Sequence, residues 1–252
     1  MRLRQIALVA NDLEPVAAQL NAIFGLQIAF RDSAVGVFGL VNAVMPVGGE
    51  FLEIVQPVKD DASAGRYLRR RGGDAGYMLI FQTDDALAHR QRLSTQGIRK
   101  IAEHDSIGYT FTHFHPGDFG GILTSVDMVD DGESWNEPMG KWPPAGKDWK
   151  SFPASKDVLG IAGASVQARD PSAAAARWAE LLQVPREGDS IKFSNGDVRF
   201  VPPIDADGTG VVGVNIAVSD AEAVQKRARA HGIPVKDNAL WIGGVGFRAI
   251  SR

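Results

Sequence analysis

The sequence predicts an α+β protein of four βαβββ units, which pair into two modules with curved mixed sheets and outer helices. Three observations predict this class. First, an aliphatic segment runs into an acidic turn and then a helix four times, and the turns contain Asp12, Asp85, Asp170 and Asp220. Second, each helix has its own start or stop signal. Third, β-type segments follow every helix. Internal repeats of this size indicate architecture before any single motif does.

Caps and apolar spacing predict the first two helices. Asn11 or Asp12 can cap the first helix, and an apolar stripe follows, made of Leu13, Val16, Ala17, Leu20, Ile23 and Phe24. Asp84 or Asp85 can cap the second helix, and Gly97 is its expected end. The β-type segments after these helices read LQIAF, VGVFGLVNAVMP and EFLEIVQP in the first unit, and GYTFTHFH and GGILTSVDM in the second.

The third and fourth helices have signals of the same kind. Asp170 precedes Pro171, which is a favourable first helical residue. Ser219 and Glu222 have the spacing of a capping box, and Gly232 is the expected end of the fourth helix. The β-type segments that follow read SIKFS and VRFVPP in the third unit, and ALWIGG and GFRAIS in the fourth.

A segment of different composition separates the second unit from the third. It contains Trp135, Trp142 and Trp149 at heptad spacing, but Pro143 and Pro144 prevent a continuous helix there. We therefore predict module 1 over residues 1–130, an ordered linker over residues 131–157 and module 2 over residues 158–252. We expect the linker tryptophans to pack on the sheets, and a tryptophan lid over a pocket is the alternative.

Composition excludes several classes of function. The 27 basic and 30 acidic side chains give a net charge of −3, which attracts neither nucleic acid nor anionic membranes. The one basic cluster, Arg69–Arg71, is expected to be a solvated loop. The chain has no cysteine, which excludes thiol catalysis, cysteine-based zinc sites and disulfides. The longest apolar stretch, residues 34–49, is too short to span a bilayer. We expect a cytoplasmic monomer or homodimer whose partner is a small-molecule ligand.

Two segments resemble a known superfamily. NAVMPVGGEFLEIVQP, from Asn42 to Pro57, is similar to a strand-turn-strand of glyoxalase-like domain proteins. FHPGDFGGILTSVD, from Phe114 to Asp127, resembles the end of methylmalonyl-CoA epimerases. The chain is on this basis similar to the vicinal oxygen chelate superfamily, as two glyoxalase/bleomycin-resistance-like modules. Members commonly bind one divalent metal in the cleft of each active module, with one ligand from each of four strands.

The resemblance implies four ligand positions in module 1. Gln5 and Glu53 stand at the first two, and Met78 and Ser125 stand at the other two, where the superfamily usually has histidine and glutamate. A thioether and a hydroxyl are poor ligands for Mg²⁺, Mn²⁺ or Zn²⁺. We therefore expect a partial metal site made of Gln5 and Glu53, with a divalent metal bound substoichiometrically. We also expect Asn42, at the start of the resembling segment, to contact substrate.

The matching positions of module 2 depart further from the superfamily. They are Gly163, Arg199, Gly213 and Arg248, so two provide no ligand atom and two are positively charged. If both guanidinium groups face the cleft, Arg199 and Arg248 can hold a carboxylate or a phosphate of a substrate. The alternative is that they form surface or inter-domain ion pairs in a degenerate, structural module.

Glu53 and His113 are the candidate catalytic residues. Glu53 lies between apolar neighbours, so burial would raise its pKa and suit it to general-base chemistry, unless it simply pairs with Gln5 or His113. His113 and His115 lie two residues apart, which places both on one face of a strand. They can bind a metal, position a substrate or transfer a proton. Alternatively, His115 belongs to a loop and His113 is a half-buried strand residue.

Two functions remain open from the sequence. The first is a glyoxalase-like protein that binds or acts on a small oxygenated metabolite in the module-1 cleft with an incomplete metal site. As an enzyme it would be a lyase, an isomerase or a ring-cleavage dioxygenase. The second is a metal-free protein of the same fold that binds or sequesters a small molecule. Met78 and Ser125 favour the second, whereas Gln5, Glu53 and the HPGDFGG segment favour the first.

Overall fold

An aspartate caps the first turn of each repeated helix in the computed structural model, which describes residues 1–130, 132 and 134–252. The side chains of Asp12, Asp85, Asp170 and Asp220 accept hydrogen bonds from backbone N–H groups two or three residues later, at 2.8–3.1 Å. The capping box predicted at Ser219 is therefore wrong, because Asp220 provides the cap. Asp131 and Glu133 are outside the described residues, and so is the predicted start of the linker at residue 131.

The first two units contain these elements. Unit one comprises β1 (Arg2–Val9), α1 (Leu13–Phe24), β2 (Leu40–Val47) and β3 (Glu50–Pro57). The helix α2 (Ser63–Arg71) follows it. Unit two comprises β4 (Ala75–Gln82), α3 (Ala86–Thr95), β5 (Lys100–Ser106), β6 (Tyr109–Phe114) and β7 (Leu123–Val129). The predicted LQIAF strand is reduced to a single bridge between Phe30 and Val44, and a 3₁₀ helix at Ser33–Phe38 replaces the start of the next predicted strand.

The last two units have the complete βαβββ order, as unit two does. Unit three comprises β8 (Val158–Gln167), α4 (Pro171–Leu182), β9 (Arg186–Glu187), β10 (Ser190–Phe193) and β11 (Gly196–Val201). Unit four comprises β12 (Gly210–Val218), α5 (Ala221–Ala230), β13 (Val235–Lys236), β14 (Ala239–Ile242) and β15 (Val245–Ser251). Short 3₁₀ helices lie at Pro116–Phe119, Pro143–Ala145 and Trp149–Ser151.

The described strands form one large mixed sheet of 15 strands, so the α+β class is confirmed, whereas the predicted division into separate sheets for the two modules is wrong. The first strand of each unit pairs in parallel with the last strand of the same unit, and units join through the antiparallel pairs β1–β4 and β8–β12. A single pair, Val211 with Gly76, links the first two units to the last two. A methyl group on Gly76 would lie 2.3 Å from the Val211 carbonyl oxygen, so this crossing requires glycine.

One apolar core serves both halves of the chain. We call residues 1–130 the first half and residues 158–252 the second half. Phe24 of α1 lies 5.9 Å from Phe247 of β15, and Phe81 of β4 lies 6.3 Å from Trp178 of α4, between ring centroids. The helices α1, α3, α4 and α5 contribute their buried residues to this core. The opposite face of the sheet is therefore free to carry polar groups.

Polar contacts also join the two halves. The side chain of Asn195 bonds the backbone N–H and C=O of Leu3 at 3.1 and 2.8 Å. Arg71 ends α2 and pairs with Asp205 and Asp207 at 2.7 and 2.9 Å. The prediction of a solvated loop at Arg69–Arg71 is therefore wrong, because α2 contains the cluster and Arg71 is buried against the second half. None of the helices in the described part of the chain is long and apolar enough to cross a membrane.

Candidate functional site

Gln5 and Glu53 lie on adjacent parallel strands in what we call the first-half cleft, the face of β1–β7 turned away from α1 and α3. Gln5 Nε2 donates to Glu53 Oε2 at 2.9 Å, and Asn42 Nδ2 donates to Glu53 Oε1 at 2.7 Å. Asn42 also accepts from the Asp32 N–H at 2.7 Å. Each carboxylate oxygen of Glu53 thus has one amide donor inside the protein.

Burial raises the pKa of the Glu53 carboxyl group above its usual range, and the hydrogen bonds from Asn42 and Gln5 offset part of this effect. The side chain is only 7% exposed. A buried carboxylate is costly unless donors surround it, which explains the two amides. The alternative that Glu53 pairs with Gln5 is therefore the one observed, and Asn42 rather than His113 provides the second hydrogen bond.

Trp142 of the linker closes the cleft over Gln5. Its indole Nε1 donates to Gln5 Oε1 at 2.7 Å, and its ring stacks on Phe51 with centroids 6.3 Å apart. Trp149 meets the same Phe51 ring edge-on at 5.0 Å. Trp142 is 1% exposed and Trp149 is 3% exposed, so the linker fills this part of the cleft. The two tryptophans pack on the sheet, whereas Trp135 stays partly exposed.

Two arginines of β1 hold the linker in place. Arg4 is fully buried, and its guanidinium lies 5.1 Å from the Phe51 ring centre and 5.3 Å from that of Trp142. It donates to the carbonyl oxygens of Gly49, Pro138 and Gly140 at 2.5–3.1 Å. Arg2 donates to the Glu137 carbonyl at 3.0 Å. The backbone at 137–140 is therefore bound directly to the first strand.

Met78 and Ser125 complete the set of positions that the resemblance implies. Met78 lies in an apolar cluster with Ala7 and Trp142. Ser125 is fully buried, and its Oγ donates to the Asp127 carboxylate. Among the described contacts, neither side chain forms a hydrogen bond with Gln5 or Glu53.

Asp127 is a buried acid that the sequence reasoning missed. Tyr109 donates to its carboxylate at 2.6 Å, in addition to Ser125. Burial raises the pKa of Asp127 to about 7, and the two hydroxyl donors act in the opposite direction. The signal was present, because Asp127 lies two residues after Ser125 on one strand and so shares its face. Burial and the charge of Asp127 raise the pKa of Tyr109 well above its usual value.

His113 stands at the mouth of the first-half cleft among aromatic rings. Its ring centre lies 4.5 Å from that of Phe111 and 6.2 Å from that of Phe38. Desolvation lowers its pKa to about 4, so the imidazole is neutral at physiological pH. His115 does not join it, because its Nδ1 accepts from the Gly117 N–H at 3.0 Å in the loop before β7. This matches the loop alternative for His115.

Arg199 and Arg248 lie in the second half, on the face turned away from α4 and α5. Arg199 is exposed and Arg248 is partly exposed. Neither forms an ion pair with any residue that the structure describes, so the alternative of surface or inter-domain pairing is not observed there. The structure does not bring them together with Glu53, His113 or Asn42.

Comparison with known proteins decides the family. A family model described as "Glyoxalase-like domain" matches residues 6–182, which is more than half of the chain. The chain belongs to the glyoxalase-like domain family. This family is part of the vicinal oxygen chelate superfamily, and the strand-helix repeats and the mixed sheet agree with membership.

Curated relatives of this glyoxalase-like protein are epimerases. It is 24% identical over 135 residues to the ethylmalonyl-CoA/methylmalonyl-CoA epimerase of Cereibacter sphaeroides, covering 51% of this chain and 98% of that protein. It is 25% identical over 131 residues to the human mitochondrial methylmalonyl-CoA epimerase, covering 51% of this chain and 74% of that protein. The similarity therefore concerns about half of the chain.

Solved structures of epimerases also resemble it. The methylmalonyl-CoA epimerase of Mycobacterium tuberculosis is 19% identical with a TM-score of 0.46, over 51% of this chain and 88% of that chain. A variant of the Streptomyces coelicolor methylmalonyl-CoA epimerase in complex with 2-nitronate-propionyl-CoA is 22% identical with a TM-score of 0.46, over 51% of this chain and 97% of that chain.

The donor set of the first-half cleft does not fit the divalent metal that the superfamily implies. The Gln5 oxygen already accepts from Trp142, and the Gln5 amide nitrogen points at Glu53. Met78 offers a thioether among apolar side chains, and Ser125 is engaged with Asp127. No group of three or more acidic or histidine side chains suited to a metal occurs within the described residues. In the predicted Gln5–Glu53 site, only the carboxylate of Glu53 is a strong ligand for a divalent metal.

We predict that the glyoxalase-like protein as purified holds much less than one divalent metal per chain. Coordination by Glu53 would require breaking its bonds from Gln5 and Asn42 and displacing Trp142, with no second charged ligand in compensation. Elemental analysis after mild dialysis measures this content. Stoichiometric Mg, Mn, Fe or Zn would contradict our assignment of the donor set.

We also predict opposite pH effects for Asp127 and His113. The folded pKa of Asp127 is raised to about 7 from the usual 3.8, so its contribution to stability falls as pH rises through this range. The folded pKa of His113 is lowered to about 4 from 6.5, so its contribution grows as pH rises between these values. In the wild type, the two contributions oppose each other over their shared range.

Chemical denaturation from pH 4 to pH 7 separates them. Relative to wild type, the free energy of unfolding of Asp127→Asn should increase with pH, and that of His113→Gln should decrease, each by up to about 1.4 kcal/mol per pH unit. Asp130→Asn, at an exposed position one residue beyond β7, is the control and should follow the wild type. Equal pH profiles for all four proteins would contradict the burial of the two groups.

Proposed function

We propose that this protein binds a small, uncharged, planar oxygenated metabolite at the mouth of the first-half cleft, without a metal. The observation that carries the proposal is that Trp142 and Asn42 satisfy the Gln5–Glu53 pair, while a series of partly exposed rings lies beside it. The proposal is one of ligand binding rather than of metal-assisted lyase, isomerase or dioxygenase chemistry.

A continuous series of rings supports a planar ligand. Phe38, His113, Phe111, Tyr109 and Trp142 follow one another with centroids 4.5–6.2 Å apart. The series runs from the exposed 3₁₀ helix at Ser33–Phe38 to the buried linker. Phe38 is 45% exposed, and the three rings after it are partly exposed. Such rings offer stacking faces to a flat molecule.

The charge inside the cleft favours an uncharged ligand. Glu53 and Asp127 are both buried acids, and the charges of Glu53 and Asp32 both raise the pKa of Tyr109. Arg4 does not neutralise them by an ion pair, because its N–H groups donate to carbonyl oxygens of the linker and of Gly49. An anion entering this region would meet repulsion and lose its hydration.

His113 and Glu53 are the polar groups that we assign to ligand recognition. The neutral imidazole of His113 can donate one hydrogen bond and accept one, which suits a carbonyl or hydroxyl group. Glu53 sets the acidic character of the interior. Asn42 contributes by holding Glu53 and the backbone at Asp32 rather than by a free amide.

The epimerase relatives act, by their names, on methylmalonyl-CoA, and the methylmalonyl group carries a carboxylate. A carboxylate fits poorly beside Glu53 and Asp127. The similarity supports a small-molecule cleft of the same fold, and we propose that the ligand differs in charge from that of the relatives.

The proposal is tested with two matched probes. The uncharged 4-hydroxyacetophenone is planar and has a carbonyl and a hydroxyl group, whereas 4-hydroxybenzoate is its anionic counterpart. We predict that calorimetric titration detects saturable binding of the first and at least about tenfold weaker binding of the second, because of repulsion by the buried acids. Phe38→Ala and His113→Ala should each weaken binding of the uncharged probe about threefold to tenfold.

Val37→Ala is the control, because Val37 is 79% exposed in the same 3₁₀ helix and is not one of the rings of the series. It should bind the probe like the wild type. Preference for the benzoate, or equal binding by the Phe38, His113 and Val37 variants, would overturn the proposal.

A further inference from the structure

The second half has a row of small residues on the face of its sheet that is turned away from α4 and α5. In the register of the sheet, Arg199 of β11 stands beside Ser165 of β8, Ser165 beside Gly213 of β12, and Gly213 beside Gly246 of β15. These residues alternate with core residues, so their side chains point away from α4 and α5. We call this row the second-half floor. Because the two glycines lack side chains, Ser165, Arg248 and Trp241 can approach the sheet closely there.

The guanidinium of Arg248 extends over this floor. A methyl group on Gly213 would lie 3.5 Å from Arg248 Nη1 and 3.2 Å from Ser165 Oγ. The guanidinium and the hydroxyl therefore converge above Gly213. Arg199 adds a second guanidinium from the strand on the other side of Ser165. Arg199 and Arg248 therefore stand on opposite sides of Ser165 and Gly213 in the register of the sheet, on the same face.

Neither charge has a counter-ion. Among the described residues, no hydrogen bond or ion pair joins Arg199 or Arg248 to another group. Asp197 lies on the same face, but its carboxylate is 3.3 Å from the Lys192 ammonium. Two arginines on one face without a carboxylate partner attract an anion to that face.

Trp241 provides an independent observation. Its ring lies beside the floor, because Cζ2 is 3.7 Å from the position of a methyl group on Gly246. Its indole Nε1 is buried and has no hydrogen-bond partner in the described part of the chain. A buried donor without an acceptor is costly, and an oxygen atom bound above Gly246 would remove that cost.

We propose that the second-half floor is a binding site for a phosphate group, held by Arg199 and Arg248 with Ser165 and Trp241 as further donors. These four groups all donate hydrogen bonds, and the two guanidinium charges match the charge of about −2 on a phosphate monoester. The site is separate from the first-half cleft and does not depend on the ligand proposed there. The two halves then share a fold and bind ligands of opposite electrostatic character.

Calorimetric titration with inorganic phosphate at low ionic strength tests this site. We expect saturable binding of one phosphate per wild-type chain, and no saturable binding of chloride at the same ionic strength. The double variant Arg199→Gln/Arg248→Gln should bind phosphate at least about tenfold more weakly, because two charge-assisted hydrogen-bond donors are lost. Trp241→Phe keeps a large ring and removes the N–H group, and it should weaken binding severalfold.

The matched control is Arg169→Gln/Arg229→Gln, which removes the same charge from two arginines elsewhere in the second half. It should keep phosphate affinity within about twofold of wild type, since distant exposed charges are screened. Absence of saturable phosphate binding by the wild type would overturn the proposal. So would equal affinities of the two double variants, because binding would then follow net charge alone.

Discussion

The Glu53 carboxyl group lies inside an apolar sheet, and the rest of the first half is arranged around its need for hydrogen-bond donors. Gln5 and Asn42 supply them, and the Gln5 oxygen is then left for the indole of Trp142. This short chain of bonds connects β1, β2, β3 and the linker. It explains why Trp142, which lies 137 residues from Gln5 along the chain, has a defined place in the cleft. It also explains why Gln5 and Glu53, at ligand positions of the superfamily, bind each other and the linker here.

The two halves show how one repeated architecture can support different chemistry. In the first half, buried acids and the linker tryptophans occupy the inner face, so only an aromatic mouth stays open. In the second half, the equivalent positions contain glycines and arginines, and the side chains there are hydrogen-bond donors rather than acids. The fold positions the same strands in both cases. The side chains at a few register positions decide whether acids or bases face the ligand.

The sequence predicts the repeated units well because their signals are local. Asp12, Asp85, Asp170 and Asp220 begin helices through bonds to nearby N–H groups, so spacing alone indicates them. Other features depend on contacts between segments that are distant in the sequence, and no local pattern indicates such contacts. These features are the packing of Trp142 over Gln5, the Asp127–Tyr109 pair and the burial of Arg71. Helix α2 was not predicted for the same reason. It is stabilised by the packing of Leu68 in an apolar cluster and by the ion pair of Arg71 with Asp205.

Exchange of the Trp142 indole proton with solvent reports on the hydrogen bond from Trp142 to Gln5. Two-dimensional ¹H–¹⁵N NMR of labelled protein in D₂O resolves it from the indole of Trp135, which is partly exposed in the same linker. We predict that the Trp142 Nε1–H exchanges as slowly as the core amides of β1, while that of Trp135 exchanges rapidly. Equally rapid exchange of both indoles would contradict the bond from Trp142 to Gln5 and the closed cleft that depends on it.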